Sequence, residues 1–427
     1  MKNLSLRRSL GLFETTLGGV GIILGAGIYA LVGEVAAKSG DAMWISFVIA
    51  AVMAAVVGLS YAELASTFPK AGADYEYTRH ALGLRVAFVV GWLIVVGNAV
   101  AAAAVALAFG GYMNSLVDVN PTQTAVVALV IATTIAFAGI RETLWTSIAL
   151  TFIEVGGLIF IVVIGVPHIG DVDLSEAQGG APGIFAGSAL VMFAFIGFEQ
   201  IATLAEETKD ATRVVPRAML LAVGITSLLY TVVAIAAISA VGWETLSATD
   251  APLAAVAEEV LGGSASDLIA IVALFSTANT MLLMLVAASR LIYGMASTEA
   301  LPRFLGWIAP GVQTPARAIL ICLVVSGGFA VSGDIGLVAG ATNFAVFVGF
   351  GAVSLSLIIL RYTRPELPRP FRVPFSVGRM PLLPLVAIAL TIFMMANLDT
   401  DALLVGAGLF VLGLIVMESL SLWRPNP

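Results

Sequence analysis

Gly18-Gly19-Val20-Gly21-Ile22-Ile23-Leu24-Gly25-Ala26-Gly27-Ile28-Tyr29 runs through the first long apolar stretch of the chain. Five glycines in ten residues make a poor helix, because each costs roughly 1 kcal/mol against alanine. A bilayer span of this composition is expected to unwind locally and to bare N–H and C=O groups at membrane depth. Bare backbone is tolerated there only where it lines a cavity or binds something. The stretch therefore points to a solute site in the middle of a membrane.

The composition requires that membrane. The 427 residues are 60% hydrophobic and 11% charged, with a mean hydropathy of +1.04. Soluble domains carry about 25% charged residues. Apolar runs able to serve as spans of about 20 residues are expected at 13–33, 43–67, 87–114, 123–140, 146–166, 183–205, 217–241, 267–296, 316–331, 335–360, 380–397 and 402–422. The chain thus reads as an all-α integral membrane protein of twelve transmembrane helices, one transmembrane domain over 1–427.

The basic residues orient it. With Lys2, Arg7 and Arg8 in the cytoplasm, alternate loops on that side hold Lys70, Arg79 and Arg85; Arg141; Lys209, Arg213 and Arg217; Arg303 and Arg317; and five arginines from Arg361 to Arg379. Arg290 lies near the inner end of its helix and Arg424 follows the last span. Of 20 Lys and Arg, 19 fall on this face and only Lys38 on the other. That is the positive-inside asymmetry, and it supports twelve spans with both termini cytoplasmic, in the cell membrane. The opposite face is acidic, with Glu34, Asp41, Asp250, Asp334 and Asp399 among its carboxyls. It reads as a solvated surface; with a pI near 4.9 it also suits salty or acidic surroundings. Trp44, Trp92, Trp145, Trp243, Trp307 and Trp423 fall near span ends, as interfacial anchors should.

Other classes are disfavoured. Cys322 is the one cysteine, so neither an internal disulfide nor a cysteine metal cluster is expected. His80 and His168 are isolated. The chain has no P-loop, GxSxG or CxxC, which argues against ATP-driven transport in this polypeptide. An embedded enzyme needs a nucleophile–base pair or metal ligands at depth, and the buried acids fall in separate spans. A channel calls for continuous polar lining, which the spans lack. No cofactor, nucleic acid or obligatory protein partner is implied; the surroundings are lipid bilayer and a small solute. Residues 1–12 lead into a span carrying Glu14 and read as a signal anchor.

Phe193-Ala194-Phe195-Ile196-Gly197-Phe198-Glu199-Gln200, in the sixth span, is a second glycine break with an ionisable residue at depth. The first and sixth spans open two five-span halves, 1–166 and 183–360, and an odd number of crossings makes the halves run in opposite directions. Paired interruptions in inverted halves mark the site of a secondary transporter. The stretch 380–422 supplies two further helices, joined by a proline-rich basic linker.

Four segments then show a resemblance. They are Gly25-Ala26-Gly27-Ile28-Tyr29 through Gly33; Tyr61-Ala62-Glu63-Leu64 with Pro69-Lys70-Ala71-Gly72-Ala73-Asp74-Tyr75-Glu76-Tyr77; Phe193 through Glu207; and Ser289-Arg290-Leu291-Ile292-Tyr293-Gly294-Met295-Ala296 with Leu301-Pro302-Arg303. In this order they resemble the amino acid–polyamine–organocation superfamily, with its LeuT-type inverted five-plus-five repeat and broken helices 1 and 6.

The resemblance implies a site for an amino acid zwitterion. The half-helix resuming at Gly25, Ala26 and Gly27 would offer free N–H groups and a positive dipole end to the carboxylate. Carbonyls of Ile22, Phe193, Ala194 and Ile196 would meet the ammonium. Gly18 and Gly19 suit helix packing instead. Relatives that take cationic substrates often carry an acid in span 3, near Gly97-Asn98 here; this chain lacks it, and Phe193, Phe195 and Phe198 favour a neutral side chain. Glu199 leaves a basic one open.

Sodium-independent members often place a lysine in span 5. Here Glu154 stands in its place. An intramembrane carboxyl is costly and functional by default. It could carry H⁺, or help hold Na⁺ with the carbonyls of Gly21 and Leu24 and the side chains of Ser276, Asn279 and Thr280, which share one helix face. A structural hydrogen bond and uncoupled exchange remain the other readings. Glu199, Glu63 and Arg290 are candidate gate residues, with Glu63 and Glu206-Glu207 placed to pair with Lys70, Arg79, Arg213 or Arg290. Glu14 and Glu418 read as helix-end charges. The function expected is secondary transport of an amino acid, with exchange, a cationic amino acid or polyamine, and a non-transporting sensor as alternatives.

Overall fold

A computed structural model describes residues 10–69, 73–138, 143–206, 208–309 and 314–423. Lys70, Arg141 and Glu207 lie outside them, as do the terminal basic residues.

The first apolar stretch is two helices, α1 (Leu12–Ile23) and α2 (Gly27–Ser39), parted at Leu24-Gly25-Ala26. A 3₁₀ turn (Gly40–Ala42) leads into α3 (Met43–Thr67), whose bounds coincide with the expected run. Next comes a short helix not anticipated from hydropathy, α4 (Ala73–Leu82). It carries Asp74 and Glu76 in its first turn and Arg79 and His80 in its last, the order its dipole favours. Then follow α5 (Leu84–Val117), α6 (Pro121–Ala138) and α7 (Thr143–Gly165). At 34 residues α5 is about 50 Å long, well beyond a hydrocarbon core of about 30 Å.

The sixth stretch is α8 (Gly180–Phe195), then a break at Ile196-Gly197. Phe198–Glu206 continues as a 3₁₀ helix rather than the α-helix the apolar pattern suggested. After it come α9 (Ala211–Ser247), kinked at Gly242 (φ +72), and a second unanticipated short helix, α10 (Pro252–Leu261), opened by proline at its first position. The remainder is α11 (Gly263–Ser297), α12 (Ala316–Ala330), α13 (Ile335–Thr363), a two-stranded hairpin of Ser376–Val377 and Met380–Pro381, α14 (Leu382–Ala396) and α15 (Thr400–Trp423).

Among the described residues eight helical runs are long and apolar enough to cross a membrane, α2 through α3 counting as one. Four shorter apolar helices, α1, α6, α12 and α14, lie beside them. Large apolar side chains such as Leu228, Val324, Phe152 and Ile415 stand exposed on the outer faces. A belt of that kind is unstable in water and at home in lipid.

The helices pack as two sets. One consists of α1, α2, α3, α8 and α9, and holds both breaks. The other consists of α5, α6, α11 and α12, arranged around the long α5. The helices α7 and α13 touch both sets.

Candidate functional site

The two breaks lie against each other. At Gly27 an added Cβ would stand 2.5 Å from the Cα of Ala194, so only glycine lets α2 approach α8 this closely. Gly197 has φ +119, a conformation side chains rarely adopt, and its free face meets the Ile22 carbonyl oxygen at 2.9 Å from where a Cβ would sit. Gly25 faces Thr280 of α11, whose hydroxyl accepts the Ala26 N–H at 3.0 Å. The break in the first stretch is thus held from the opposite set of helices.

Two of the three carbonyls expected to be open in the sixth span already have donors. Phe193 O accepts the Ile196 N–H at 3.2 Å. Ala194 O accepts the Tyr230 hydroxyl at 3.2 Å, and the same hydroxyl lies 2.9 Å from Ile23 O. A carbonyl has two lone pairs, so each retains one. The sequence reading missed Tyr230, which ties the end of α1 to the end of α8 from α9.

Glu154 is buried on α7, and its carboxylate accepts the Ser276 hydroxyl of α11. Its main-chain carbonyl accepts Tyr29 Oη at 2.9 Å, and Tyr29 O accepts Tyr112 Oη at 3.1 Å. Ser276 and Thr280, one turn apart on α11, therefore serve different partners, the carboxyl and the first break. Asn279 is half-buried on α11, beside Thr280. Gly21 packs on Thr151, one turn before Glu154. Leu24 is buried, its N–H bonded to Val20 O.

The three gate candidates do not meet. Glu199 accepts the N–H of Gly197 at 2.9 Å and so caps its own break. Arg290 is exposed. Glu63, fully buried at the end of α3, pairs with none of Arg79, Arg213 and Arg290; Lys70 lies outside the described residues. Glu63 accepts Arg361 Nε at 2.9 Å and the Val373 N–H at 2.7 Å, with Arg369 Nε 3.4 Å away. Arg79 and Arg213 sit instead beside Glu76 and Asp210 of their own segments. The reason is reach: the last turn of α13 carries Arg361 to the carboxylate, and the chain after it folds back to add Arg369 and the Val373 N–H. Trp92 is no free interfacial anchor either; it donates to Leu409 O and packs on Gly413 of α15.

A small cavity of about 40 Å³ opens beside the second break. Ile196 and Glu199 line it, with Tyr61 of α3, Asp74 of α4, Asn98 of α5 and Thr342 and Phe350 of α13. Asp74 lies in a stretch quoted above only for its resemblance. It accepts the Tyr61 hydroxyl, and burial pushes its carboxyl up to about 6, a rise that the Tyr61 bond opposes.

Residues 10–417 match the family model described as amino acid permease. The chain is 29% identical to a branched-chain amino acid permease of Bacillus subtilis, over 92% of this chain and 89% of that protein. It is 27% identical to a methylthioribose transporter of the same organism, over 93% and 90%. It is 30% identical to a vacuolar cationic amino acid transporter of Arabidopsis thaliana, over 84% of this chain and 64% of that protein.

Proposed function

The chain belongs to the amino acid permease family, a multi-pass membrane transporter and not an enzyme, and on that premise we propose that it carries amino acids across the cytoplasmic membrane as a secondary active transporter, by alternating access. Twelve spans form two inverted halves, 1–166 and 183–360, with 380–422 outside the repeat and both termini cytoplasmic. The observation that carries this reading is the contact of the two breaks, Gly27 on Ala194 and Gly197 on Ile22. Paired interruptions meeting at depth make a site whose backbone polarity can serve a zwitterion.

In this reading the positive end of α2 binds the substrate carboxylate through the N–H groups of Gly25 and Gly27, because the Ala26 N–H, expected to be free, is held by Thr280. The ammonium is met by Ile22 O and by the remaining lone pairs of Phe193, Ala194 and Ile196. The buried rings of Phe193, Phe195 and Phe198 favour a neutral side chain. The helix set that holds both breaks rocks against the set around α5. Substrate must bind one conformer better than the other, or nothing is driven. Glu154, bridged by Ser276 and α11 to the first break, carries the coupling, with H⁺ or Na⁺ as the ion.

A basic substrate is the second reading. It is favoured by Asp74 and Glu199, two carboxyls lining one cavity beside Ile196.

The test is uptake into proteoliposomes of purified protein. Labelled neutral and basic amino acids are offered under a Na⁺ gradient, a pH gradient or neither, with and without preloaded substrate. Uptake only with a cation gradient identifies a symporter and its ion. Uptake that needs preloaded substrate and ignores both gradients identifies an exchanger and removes Glu154 from coupling. No amino acid taken up or exchanged under any condition overturns the reading.

A further inference from the structure

The last turn of α13 and the segment that joins it to α14 sort their arginines into two groups. Arg361 and Arg369 turn inward and surround Glu63. Arg364, Arg372 and Arg379 are exposed and form no ion pair among the described residues. The apolar side chains set among the second group are turned out as well. Phe375 is 74% exposed and Val377 69%. Neither is loose. Phe375 O accepts the Leu382 N–H at 3.0 Å, and Val377 pairs with Met380 across a tight hairpin turned at Gly378 (φ +61). Phe375 itself sits at φ +57, a backbone position few side chains hold without support.

A two-stranded hairpin has no core of its own to take these side chains. An aromatic ring and a valine held outward between unpaired arginines match the headgroup layer of a bilayer, where rings bury shallowly and guanidinium groups meet phosphate. The position agrees. The hairpin leads directly into α14, an apolar helix, so it sits at the boundary where that helix leaves the membrane. A protein partner is a poor fit, since stable interfaces use roughly 20–30 residues a side and this tip offers a handful.

We infer that the hairpin and its flanks, 372–379, dock on anionic phospholipid headgroups of the adjacent leaflet. Arg372 and Arg379 bind the phosphates, and Phe375 and Val377 enter the interface. The single exposed acid of the preceding stretch, Glu366, leaves the surface net basic. The docked segment is also the one that clamps α3, because Val373 N–H bonds Glu63 and Phe371 N–H bonds Ser66 Oγ at 3.2 Å. Headgroup binding therefore steadies the closure at that end of α3. The inference rests on residence in a membrane and not on the substrate, so failure of the transport reading leaves it standing or falling by itself.

The test uses an environment-sensitive thiol probe at Val377→Cys in a Cys322→Ser background. The full chain is placed in lipid nanodiscs of phosphatidylcholine alone or mixed with phosphatidylglycerol. Anionic lipid is expected to shift the probe emission to the blue and shield it from an aqueous quencher, and added salt to reverse both. Arg372→Gln and Arg379→Gln should each lower the bound-to-free ratio on the order of fivefold. These arginines are exposed, so the variants fold; size-exclusion profiles check that. Equal shielding in the two lipids, no shielding in either, or indifference to both substitutions overturns the inference.

Discussion

The Tyr230 hydroxyl stands 2.9 Å from the carbonyl of Ile23 and 3.2 Å from that of Ala194. It has one proton to give, so the last turns of α1 and α8 share a single donor. Tyr230→Phe keeps the ring contacts with Phe47 and Phe195 and removes only that donor. A buried acceptor left without a partner costs about 1–3 kcal/mol. The variant is expected to melt several degrees lower and to transport more slowly, because the two breaks lose their common tether. Thermal melting of purified protein and initial uptake rates check this; wild-type values in both would remove Tyr230 from the account.

Gly27 and Gly18 make a matched pair. A Cβ at Gly27 would strike the backbone of Ala194, which cannot swing aside, whereas one at Gly18 would touch only Leu204 Cδ1 at 3.9 Å. Gly27→Ala is expected to cost about 1–3 kcal/mol by overpacking and to abolish uptake. Gly18→Ala should be neutral or stabilising, since alanine is the better helix former. Melting temperatures of the two variants side by side settle the matter, and equal tolerance would mean that the breaks do not touch.

What could be read from the sequence follows from how local each signal is. The break at Leu24-Gly25-Ala26 was legible because glycine weakens a helix wherever it sits, and the bend at Gly197 for the same reason. The run Met43–Thr67 was legible because its apolar stretch ends abruptly in polar residues. Glu154 and Ser276 were legible as polar groups stranded at depth, expected around one ion, but their direct hydrogen bond was not. Tyr230 was not, since a tyrosine in an apolar helix gives no local sign of which carbonyls it serves. Nor was Arg361 as the partner of Glu63, 298 residues away in sequence; every arginine on that face reads alike until the linker folds back. The short α4 and α10 escaped because hydropathy registers spans and passes over amphipathic turns between them. The 3₁₀ path of Phe198–Glu206 depends on packing and leaves no trace in composition.

The Glu63 cluster gives a stability prediction. Glu63→Gln leaves the Arg361 guanidinium, itself buried, without its counter-charge. Removing one partner of a buried pair costs about 3–5 kcal/mol. The double variant Glu63→Gln with Arg361→Gln should recover part of that loss. A double-mutant cycle in denaturant or heat measures the coupling; additive losses would show that the two charges act independently.

Asp74 predicts a pH dependence of stability. Burial raises its folded carboxyl to about 6 from an ordinary value of 3.8. The folded state therefore holds the proton more tightly than the unfolded state does, and stability falls as pH rises from about 4 to about 6, then levels. The full effect is on the order of 3 kcal/mol, taking about two units at 1.36 kcal/mol each. Asp74→Asn retains an acceptor for the Tyr61 hydroxyl and cannot ionise. Melting curves across this range should flatten in the variant and lie above wild type at neutral pH; an unchanged slope would exclude Asp74 as its source.

The coupling role proposed for Glu154 gives the last prediction. Its carboxylate faces Ser276, whose neighbour one turn on, Thr280, holds the Ala26 N–H, so a cation arriving at Glu154 is linked through one helix face to the first break. Glu154→Gln preserves the size of the side chain and an oxygen to accept the Ser276 hydroxyl, and removes only the charge and the titratable proton. If that charge carries the driving cation, the variant should lose gradient-driven accumulation and keep exchange of preloaded substrate at a rate near wild type. If Glu154 is a structural group, the amide should serve as well and both modes should survive. Counterflow and gradient-driven uptake measured on the same proteoliposomes separate these outcomes. Loss of both together, with melting unchanged, would place the carboxylate in substrate translocation itself rather than in coupling.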